Sequence, residues 1–333
     1  METVACLICG GTGGTSRVVP CGGDDEILKG REFTLQACRC GFIYLNPRPP
    51  REEIGAYYPT EYYPPAELVQ RKLADRLVKR LSRALKKGIR EEFYGYPAER
   101  RSWLARACRR LMLFPEYAHL RLVGRDILLY RGGGRLLDVG CGPGRLLQEL
   151  RDQGWDVHGL DFSPVAVERA RSVGLDVRHS DLLTAGFKAD YFDVVLFNHS
   201  LEHVYDPVAT LREAFRILKP GGAVVVYLPN AGSAEAALFG RWWVAWDPPR
   251  HLYHFTKRSL ARLLELAGYR AVSIGTSLGK SSFLGSVDRV YRHVLNSPRR
   301  HGSLMRHAAN PLCLLFGHLG YGGDLRAVAE KPV

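Results

Sequence analysis

Three alternate glycines follow a short apolar segment that contains an aspartate, a pattern typical of a loop that binds a bulky ligand. Residues 136–144 have the sequence LLDVGCGPG, which places glycine at positions 140, 142 and 144. Glycine lacks a Cβ and tolerates positive φ angles, so the backbone can approach a ligand closely. The helix predicted from about Pro143 to Leu150 would direct its positive end at the same ligand. Asp138 is placed to order the glycine loop and to meet a cationic amine.

The spacing of these glycines differs from the dinucleotide fingerprint. Counted from Gly140, G-x-G-x-x-G requires a glycine at position 145, which is an arginine. Asp161 stands 21 residues after Gly140 at the end of a second predicted strand, where a carboxylate accepts hydrogen bonds from ribose hydroxyls in Rossmann-like units. Asp181 and Asn198 follow the third and fourth predicted strands. Each aspartate alone could equally be a helix N-cap or a turn former.

The D-x-G-x-G-x-G loop and the acidic residues at successive strand ends resemble the class I S-adenosylmethionine (SAM) methyltransferases. The resemblance implies that SAM is the cofactor, and it places Asp181 near the adenine amino group. The cofactor-binding residues that it implies are Asp138, Gly140, Cys141, Gly142, Gly144, Asp161, Phe162, Asp181, Leu182 and Asn198.

Strand and helix patterns alternate along residues 131–333, which predicts an α/β fold with a doubly wound parallel sheet. Strands are predicted at 136–139, 156–160, 175–179, 192–197, 223–228, 269–276 and 324–331, with a turn at 219–222. The resemblance implies a seven-stranded Rossmann-like sheet in the order 3-2-1-4-5-7-6. An insertion of about 45 residues, at about 278–323, precedes the last strand, and loops of this length usually serve function.

Four cysteines lie in the first 40 residues, and their spacing favours a structural metal site. Cys6-x-x-Cys9 and Cys38-x-Cys40 could close a tetrahedral zinc site that supplies much of the folding energy of so short a segment. The chain is here similar to the zinc-ribbon leader of many such methyltransferases, whose second knuckle is usually C-x-x-C. The C-x-C spacing leaves alternatives: Cys21 replaces one ligand, or the site is degenerate and the segment is a strand hairpin with incidental thiols. We predict a zinc-ribbon-like leader over 1–50, a basic helical cap over 51–130 and a SAM-dependent methyltransferase domain over 131–333.

A histidine-rich run follows the fourth strand and is similar to the family segment that lines the methyl-transfer site. It contains His199, Glu202 and His203, and a second group contains His251 and His254. Histidine titrates near neutral pH, so His199, His203 and His254 are the predicted catalytic residues, the first two as bases for a hydroxyl acceptor. Two alternatives stay open. In the first, His203 only caps a helix and packs. In the second, the run and the second histidine group together hold a divalent metal. Relatives that hold a metal have the pattern E-x-x-E-H here, and His199 replaces its first glutamate.

Residues 66–130 carry 16 Lys and Arg against 7 Asp and Glu, which accounts for most of the formal charge of +13. Leu73, Leu77, Leu81 and Leu85 recur among basic residues, which predicts an amphipathic basic helix, and a second such stretch spans 100–113. The region serves either as a solvated cap or as the contact for an anionic partner. A phosphate-bearing substrate or an acidic membrane surface ranks ahead of RNA, because no RNA-binding motif is recognisable.

No apolar run reaches the roughly 18 residues of a membrane span, and no signal peptide is recognisable, so we expect a soluble cytoplasmic protein with thiols rather than disulfides. Peripheral contact with an acidic membrane is a further expectation. We predict SAM-dependent methyl transfer to a small or lipid-linked oxygenated acceptor, such as a sugar, polyketide-like or quinone-like molecule. RNA or protein methylation and a non-catalytic SAM-binding scaffold are the alternatives, and the oligomeric state stays open.

Overall fold

The computed structural model describes residues 1–20, 32–58, 84–122, 128–277, 280–295 and 303–333. Its strands are β1 (Gly14–Pro20), β2 (Glu32–Cys38), β3 (Ile43–Leu45), β4 (Arg135–Val139), β5 (Asp156–Asp161), β6 (Asp176–His179), β7 (Phe192–Asn198), β8 (Leu218–Pro229), β9 (Tyr253–His254), β10 (Arg270–Ser277) and β11 (Asp324–Glu330). Its helices are α1 (84–93), α2 (Trp103–Leu122), α3 (Arg145–Arg151), α4 (Pro164–Ser172), α5 (Pro207–Ile217), α6 (Ala234–Phe239), α7 (Lys257–Leu266), α8 (Lys280–His293) and α9 (Ser303–His318). Short 3-10 turns cover Ile54–Tyr57, Leu201–His203, Gly240–Trp242 and Val244–Trp246.

The main sheet is mixed and has the strand order β6-β5-β4-β7-β8-β11-β10. Neighbours among β4 to β8 pair in parallel, whereas β11 runs antiparallel between β8 and β10. Most residues of the central strand β7 are buried, as expected for a strand covered by helices on both faces. Counted from β4 as the first strand, this is the order 3-2-1-4-5-7-6, so the predicted Rossmann-like fold is confirmed.

Most predicted strand boundaries agree with the structure to within one residue, and two features differ by more. Helix α3 begins at Arg145 rather than Pro143, since its N-cap Gly144 has a φ of 79° in the left-handed region. The residues predicted as a turn at 219–222 are instead part of β8. The pairing of β7 with β8 shifts register there, and the Lys219 ammonium donates to the Asp193 carboxylate at 2.8 Å. Strand β8 therefore continues through the Lys-Pro-Gly-Gly residues, and its pairing with β7 is irregular there.

The N-terminal segment forms a second sheet, which is completed by a strand from beyond β8. Its order is β1-β2-β3-β9, and Ile43 and Tyr44 of β3 pair with His254 and Tyr253 of β9. Phe42 and Tyr44 are buried in the same apolar core as the side chains of β7 and β8. The predicted leader is thus packed on the main sheet, and its limits as a domain stay a prediction.

The predicted basic cap lies only partly within the described residues. The helix expected around Leu73, Leu77 and Leu81 falls outside them, whereas α2 begins at Trp103, within the second basic stretch, and continues beyond its end. One side of α2 faces α1, where Arg109 donates to the Glu91 carboxylate at 2.7 Å. The other side carries exposed apolar side chains, namely Trp103, Leu104, Leu111, Met112 and Phe114.

The predicted insertion contains the helix pair α8 and α9. Phe283 and Val287 of α8 pack with Ala309 and Cys313 of α9 in a small apolar cluster. The pair also contacts the segment that follows α6, because the buried Arg289 donates a hydrogen bond to the Trp243 carbonyl at 3.3 Å. Across the described ranges, no helix combines the length and the apolar character that crossing a bilayer requires.

Candidate functional site

The glycine loop joins β4 to α3 and is held closely against its neighbours. The amides of Gly140 and Cys141 donate to the Leu160 carbonyl at 2.8 and 3.0 Å, which ties the loop to β5. Gly140 has a φ of 78°, and a Cβ added to it would lie 2.6 Å from the Ser200 Cβ. Only glycine therefore fits at this position, and the bare loop backbone forms one wall of a cavity.

Two buried aspartates accompany this loop, and the bond to the loop amide comes from Asp161. Its carboxylate accepts hydrogen bonds from the Gly142 and Ser163 amides, both at 2.8 Å. Asp138, which the sequence predicts to order the loop, is buried in β4, and its Oδ1 has no hydrogen-bond partner among the described residues. Burial, together with the nearby Asp161 charge, raises the pKa of Asp138 to about 7. The loop-ordering role therefore falls to Asp161, because it is the side chain that reaches the amide.

A cavity of about 470 Å³ opens in front of the loop, within the size range of small-ligand sites. The predicted cofactor-binding residues that line it are Gly140, Cys141, Gly142, Asp161, Phe162, Asp181, Leu182 and Asn198. Asp138 and Gly144 do not line it, because they lie within β4 and at the N-cap of α3. Asp181 also forms the turn after β6, since its Oδ1 accepts from the Thr184 amide at 2.9 Å. The geometry gathers most of the predicted set, and the contact of each residue with a cofactor stays a prediction.

The cavity has a further side that sequence reasoning missed. Arg51, Ile54 and Tyr58, from the segment after the leader sheet, line it. Arg51 forms an ion pair with Asp181, and the Tyr58 ring packs edge-on against Phe162 with centroids 5.0 Å apart. The tyrosine pair at 57 and 58 is conspicuous in the sequence. Nothing in its spacing relates it to strand ends far along the chain.

A wall of side chains follows β7, beside the loop. His199 lies at the strand tip with a φ of 54°, a left-handed conformation that is uncommon for residues other than glycine and that often marks functional sites. Its Nδ1 is 3.7 Å from Oε1 of Glu202, which is 1% exposed. Burial lowers the pKa of His199, but the adjacent Glu202 carboxylate outweighs burial, so the net pKa is raised. Burial raises the pKa of Glu202, yet the neighbouring histidines hold it at about 2.

His203 and His251 lie against Glu202 with fixed ring orientations. Nδ1 of His203 is 3.0 Å from the Arg250 carbonyl, and Nδ1 of His251 is 2.9 Å from the Ala245 carbonyl. A carbonyl oxygen only accepts, so we assign the proton to each Nδ1 and a lone pair to each Nε2. One ligand atom each from Glu202, His203 and His251 lies within 4.8 Å of the others. These three residues are the part of the predicted metal-holding set that the structure brings together.

His254, the third predicted catalytic histidine, lies away from the cavity lining. It is 3% exposed on β9, and its ring packs edge-on against Trp246 with centroids 4.9 Å apart. Burial lowers the pKa of His254 well below its usual range. By contrast, His199 and His203 both line the cavity, and burial, with the charge of His251, lowers the pKa of His203 to about 4. His254 is therefore placed as a packing residue, and the structure does not bring it to the cavity.

The four predicted metal-binding cysteines converge at the end of β2. Sγ of Cys6 is 3.6 Å from Sγ of Cys40, and Sγ of Cys9 is 3.4 Å from Sγ of Cys38. All four sulfurs lie within 4.8 Å of one another. A tetrahedral site with Zn–S bonds of about 2.3 Å has sulfur–sulfur edges of about 3.8 Å, so the C-x-C knuckle is compatible with zinc. Cys21, the alternative ligand, lies outside the described residues.

Comparison with known protein families points to one enzyme class. A family model described as a methyltransferase domain matches residues 67–274. A probable S-adenosylmethionine-dependent methyltransferase of Mycolicibacterium smegmatis is 30% identical over 198 residues, which cover 59% of this chain and 69% of the relative.

Other relatives match over a shorter span. The ubiquinone biosynthesis O-methyltransferase of Xanthomonas oryzae pv. oryzae is 35% identical over 146 residues, which cover 41% of this chain and 60% of the relative. The enzyme of that name from Cereibacter sphaeroides is 36% identical over 136 residues, which cover 38% of this chain and 54% of the relative. Among solved structures, a SAM-dependent methyltransferase from Archaeoglobus fulgidus is 20% identical with a TM-score of 0.44, and the match covers 66% of this chain and 99% of that one.

Proposed function

The chain belongs to the class I SAM-dependent methyltransferases, and from that premise we propose that it methylates a hydroxyl oxygen of a small or lipid-linked, quinone-like acceptor. The observation that carries this proposal is the pair of His199 and Glu202, which adjoins the same cavity as the glycine loop. A hydroxyl acceptor must lose its proton, and a histidine oriented by a buried carboxylate is a common base for that task.

The residues of the cavity suit SAM as the methyl donor. A Cβ at Gly140 would lie 2.6 Å from the Ser200 Cβ, so the loop packs beside β7 as bare backbone, which a ligand can approach closely. Asp161 and Asp181 lie at the ends of β5 and β6, where carboxylates could accept hydrogen bonds from ribose and adenine. Behind them, Asp138 keeps one buried oxygen without a partner among the described residues, which favours a cationic ligand nearby. When bound, SAM supplies a methyl group already activated by its sulfonium charge.

The proposed step balances one proton and one methyl group. His199 takes the hydroxyl proton while the acceptor oxygen forms a bond to the methyl carbon and the carbon–sulfur bond breaks. The electron pair of that bond stays on sulfur, so a neutral thioether leaves. Glu202 remains ionised, since the neighbouring histidines hold its pKa at about 2, and its charge, 3.7 Å from Nδ1, stabilises the imidazolium of His199. Alignment and exclusion of water by the cavity supply the remaining acceleration.

The relatives support an oxygen acceptor of this kind. Several matched proteins are named ubiquinone biosynthesis O-methyltransferases, with about 35% identity to this chain. Because the match covers 60% or less of those proteins, the quinone-like acceptor is a proposal for this chain rather than a transfer of their activity.

A second form of the mechanism rests on Glu202, His203 and His251. Two imidazole lone pairs and a carboxylate make a donor set that divalent transition metals accept. A bound cation would lower the pKa of an acceptor hydroxyl that reached it. Dialysis against a chelator separates the two forms. Activity that survives dialysis supports the base pair alone, whereas activity that is lost and then restored by a divalent ion supports the cation.

We propose separately that the leader cysteines hold a structural zinc ion. The sulfur positions suit a tetrahedral site, and zinc would hold the two knuckles together beside β2. Elemental analysis of the purified chain should find stoichiometric zinc, and Cys38→Ser should lose it. Cys108→Ser is the matched control, because Cys108 is exposed on α2. Equal zinc content in the two variants would contradict the site.

We propose that α2 makes peripheral contact with an acidic membrane surface. Its outer side exposes large apolar residues, among them Leu111 and Met112 at 78% and 81% exposure, and the chain carries a formal charge of +13. The chain should therefore float with acidic vesicles more than with zwitterionic ones. Leu111→Ser should reduce flotation, and Leu238→Ser, an exposed apolar residue on α6, should not. Equal flotation of the two variants would contradict the contact.

The main test offers labelled SAM to the purified chain with a quinol, an amine and cellular RNA. Label on the quinol oxygen, reduced in His199→Asn, supports the proposed function. Label in RNA or in protein supports a macromolecular acceptor instead. Calorimetric binding of SAM without transfer to any acceptor, including fractionated cell extract, would identify a scaffold and overturn the proposal.

A further inference from the structure

A second cavity of about 410 Å³ lies between the helices α1, α2 and α3 and the main sheet. Its apolar lining includes Leu120, Leu146, Leu150 and Leu196, with the rings of Tyr96 and Tyr227 beside them. Asn198, the last residue of β7, lines both this cavity and the cofactor cavity. The two cavities therefore adjoin at the strand tip that precedes His199.

Two cations, Lys86 and Arg90, line the same cavity one turn apart on α1. Among the residues that the structure describes, no carboxylate lies within ion-pair distance of either. Their helix neighbour Lys87 pairs with Glu91 at 3.8 Å. Arg90 is partly buried and lies 5.8 Å from the centre of the Tyr96 ring. Lys86 and Arg90 thus differ from the paired basic residues around them, and they face a largely apolar space.

Glu149 is the acidic residue in the described lining of this cavity, and it does not neutralise these cations. Its carboxylate is 3.6 Å from the guanidinium of Arg145, the first residue of α3. Burial lowers the pKa of Arg90 even though the Tyr96 hydroxyl and the Glu91 charge oppose that shift, so the partly buried guanidinium is only partly compensated. A ligand acid group placed there would gain charge-assisted hydrogen bonds, which are among the stronger polar contacts in proteins.

We propose that the second cavity is the acceptor site and that the acceptor is an amphipathic acid. Its apolar body would lie against the leucines, its carboxylate or phosphate would bind Arg90 and Lys86, and its hydroxyl end would pass Asn198 toward His199. This inference rests on the proposed methyl transfer, and it narrows the acceptor from any oxygenated molecule to one with an apolar body and an acidic group.

The test uses a matched series of probes with one body and different head groups: 4-phenylbutyrate, 4-phenylbutyl phosphate, 4-phenylbutanol and 4-phenylbutylamine. Each is titrated into the full chain by calorimetry, with and without SAM. We expect the better of the two acids to bind roughly tenfold more tightly than the alcohol, the range of a charge-assisted hydrogen bond. The amine should bind most weakly. The relative affinity of the carboxylate and the phosphate identifies which acid group the site prefers.

Variants connect that preference to the cavity. The double change Lys86→Gln with Arg90→Gln should bring acid and alcohol to equal affinity, whereas Lys87→Gln on the same helix should keep the preference. Leu146→Trp, which fills the cavity, should weaken all four probes. Melting temperatures of the variants show that each one folds.

The outcomes separate this inference from the function on which it rests. If the acids and the alcohol bind the unaltered chain with equal affinity, the inference that the site recognises an acid group is overturned. Unchanged binding in Leu146→Trp, or no binding of any probe, overturns the cavity as the acceptor site. If the chain binds SAM and methylates a neutral quinol, the proposed methyl transfer stands even when both of these results contradict the acceptor site. A chain that fails to bind SAM would sink the proposed function itself.

Discussion

Two walls of the cavity that we propose as the cofactor cavity are built in opposite ways. The glycine loop is a wall of backbone, made within five residues, whose amides donate hydrogen bonds to the Leu160 carbonyl and to the Asp161 carboxylate. The wall after β7 is one of side chains, in which His199 faces Glu202 and His203 is positioned by the Arg250 carbonyl. The first wall has a shape that does not depend on side-chain rotamers, and the second has groups that can accept or hold a proton.

This difference indicates a division of labour. The backbone wall leaves no room for a Cβ at Gly140, so it suits recognition of one invariant ligand, and the family shares SAM. A side-chain wall changes with each substitution, so it suits chemistry and the choice of acceptor. Substitutions in the first wall should therefore affect SAM affinity, and substitutions in the second should affect turnover.

Gly140→Val should cause the largest loss of SAM affinity. It adds a side chain to the backbone wall, where no neighbouring side chain of the loop can move aside to make room. Its Cβ would lie 2.6 Å from the Ser200 Cβ, and the φ of 78° is strained for a β-branched residue. We expect SAM affinity, measured by calorimetry, to fall roughly 10³-fold, or about 4 kcal/mol. Gly275→Val is the control, because a Cβ there meets nothing within 4 Å. Near-normal SAM affinity in Gly140→Val would contradict the backbone wall.

His199→Asn should have the second-largest effect, and it should lower kcat without changing SAM affinity. Asparagine tolerates the left-handed φ of 54° better than most residues, so the strand tip keeps its shape while the base is removed. We expect kcat to fall by roughly 100-fold, the lower range for loss of a general base. SAM affinity should stay within about twofold of the unaltered chain. If affinity and turnover fell together, His199 would belong to the cofactor wall instead.

Much of the fold and of the first wall could be predicted from sequence because their signals are local. The alternation of strands and helices, the three glycines and the aspartate at the end of β5 each lie within one element or its turn. The strand order followed from the family resemblance and is confirmed. The sequence did not indicate that Asp161 rather than Asp138 orders the loop, because the bond to the Gly142 amide depends on how β5 lies beside β4.

The second wall could be predicted only in part because it draws on distant segments. His199 and His203 stand in one run, but His251 joins them only because residues 247–254 fold back beside that run and end in β9, which pairs with the leader sheet. His254, three residues later, points into the packing around Trp246. Tyr58 reaches the cavity from the N-terminal side, which no spacing rule indicates.

Glu202→Gln should have a smaller effect than the loss of His199, because the base remains but loses its orienting charge. We expect kcat at neutral pH to fall roughly tenfold. A base works when neutral, so the rate declines as pH falls below the pKa of His199. Glu202 raises that pKa above its ordinary value of 6.5. The acid limb of the pH–rate profile should therefore lie above that value in the unaltered chain and shift to lower pH in the variant.

That profile should be measured after dialysis against a chelator, so that no bound ion contributes to it. A variant with reduced rate but an unmoved acid limb would mean that Glu202 acts in some other way than through His199. The Glu213→Gln control removes a carboxylate that pairs with Arg216 outside the described lining of both cavities, and it should leave the profile unchanged.

Tyr58 should show the smallest effects, but it tests the difference between the two walls directly, because its side chain contacts both of them. Its ring packs on Phe162 of the cofactor wall at 5.0 Å between centroids, and its hydroxyl lies 3.1 Å from Nδ1 of His203 on the other wall. Tyr58→Phe keeps the ring and should lower kcat only a few-fold, the worth of one hydrogen bond, with SAM affinity unchanged. Tyr58→Ala removes both contacts and should lower SAM affinity as well, by roughly tenfold for the lost aromatic packing. If Tyr58→Phe weakened SAM binding and spared turnover, the hydroxyl would serve the cofactor, and the two walls would not divide recognition from chemistry.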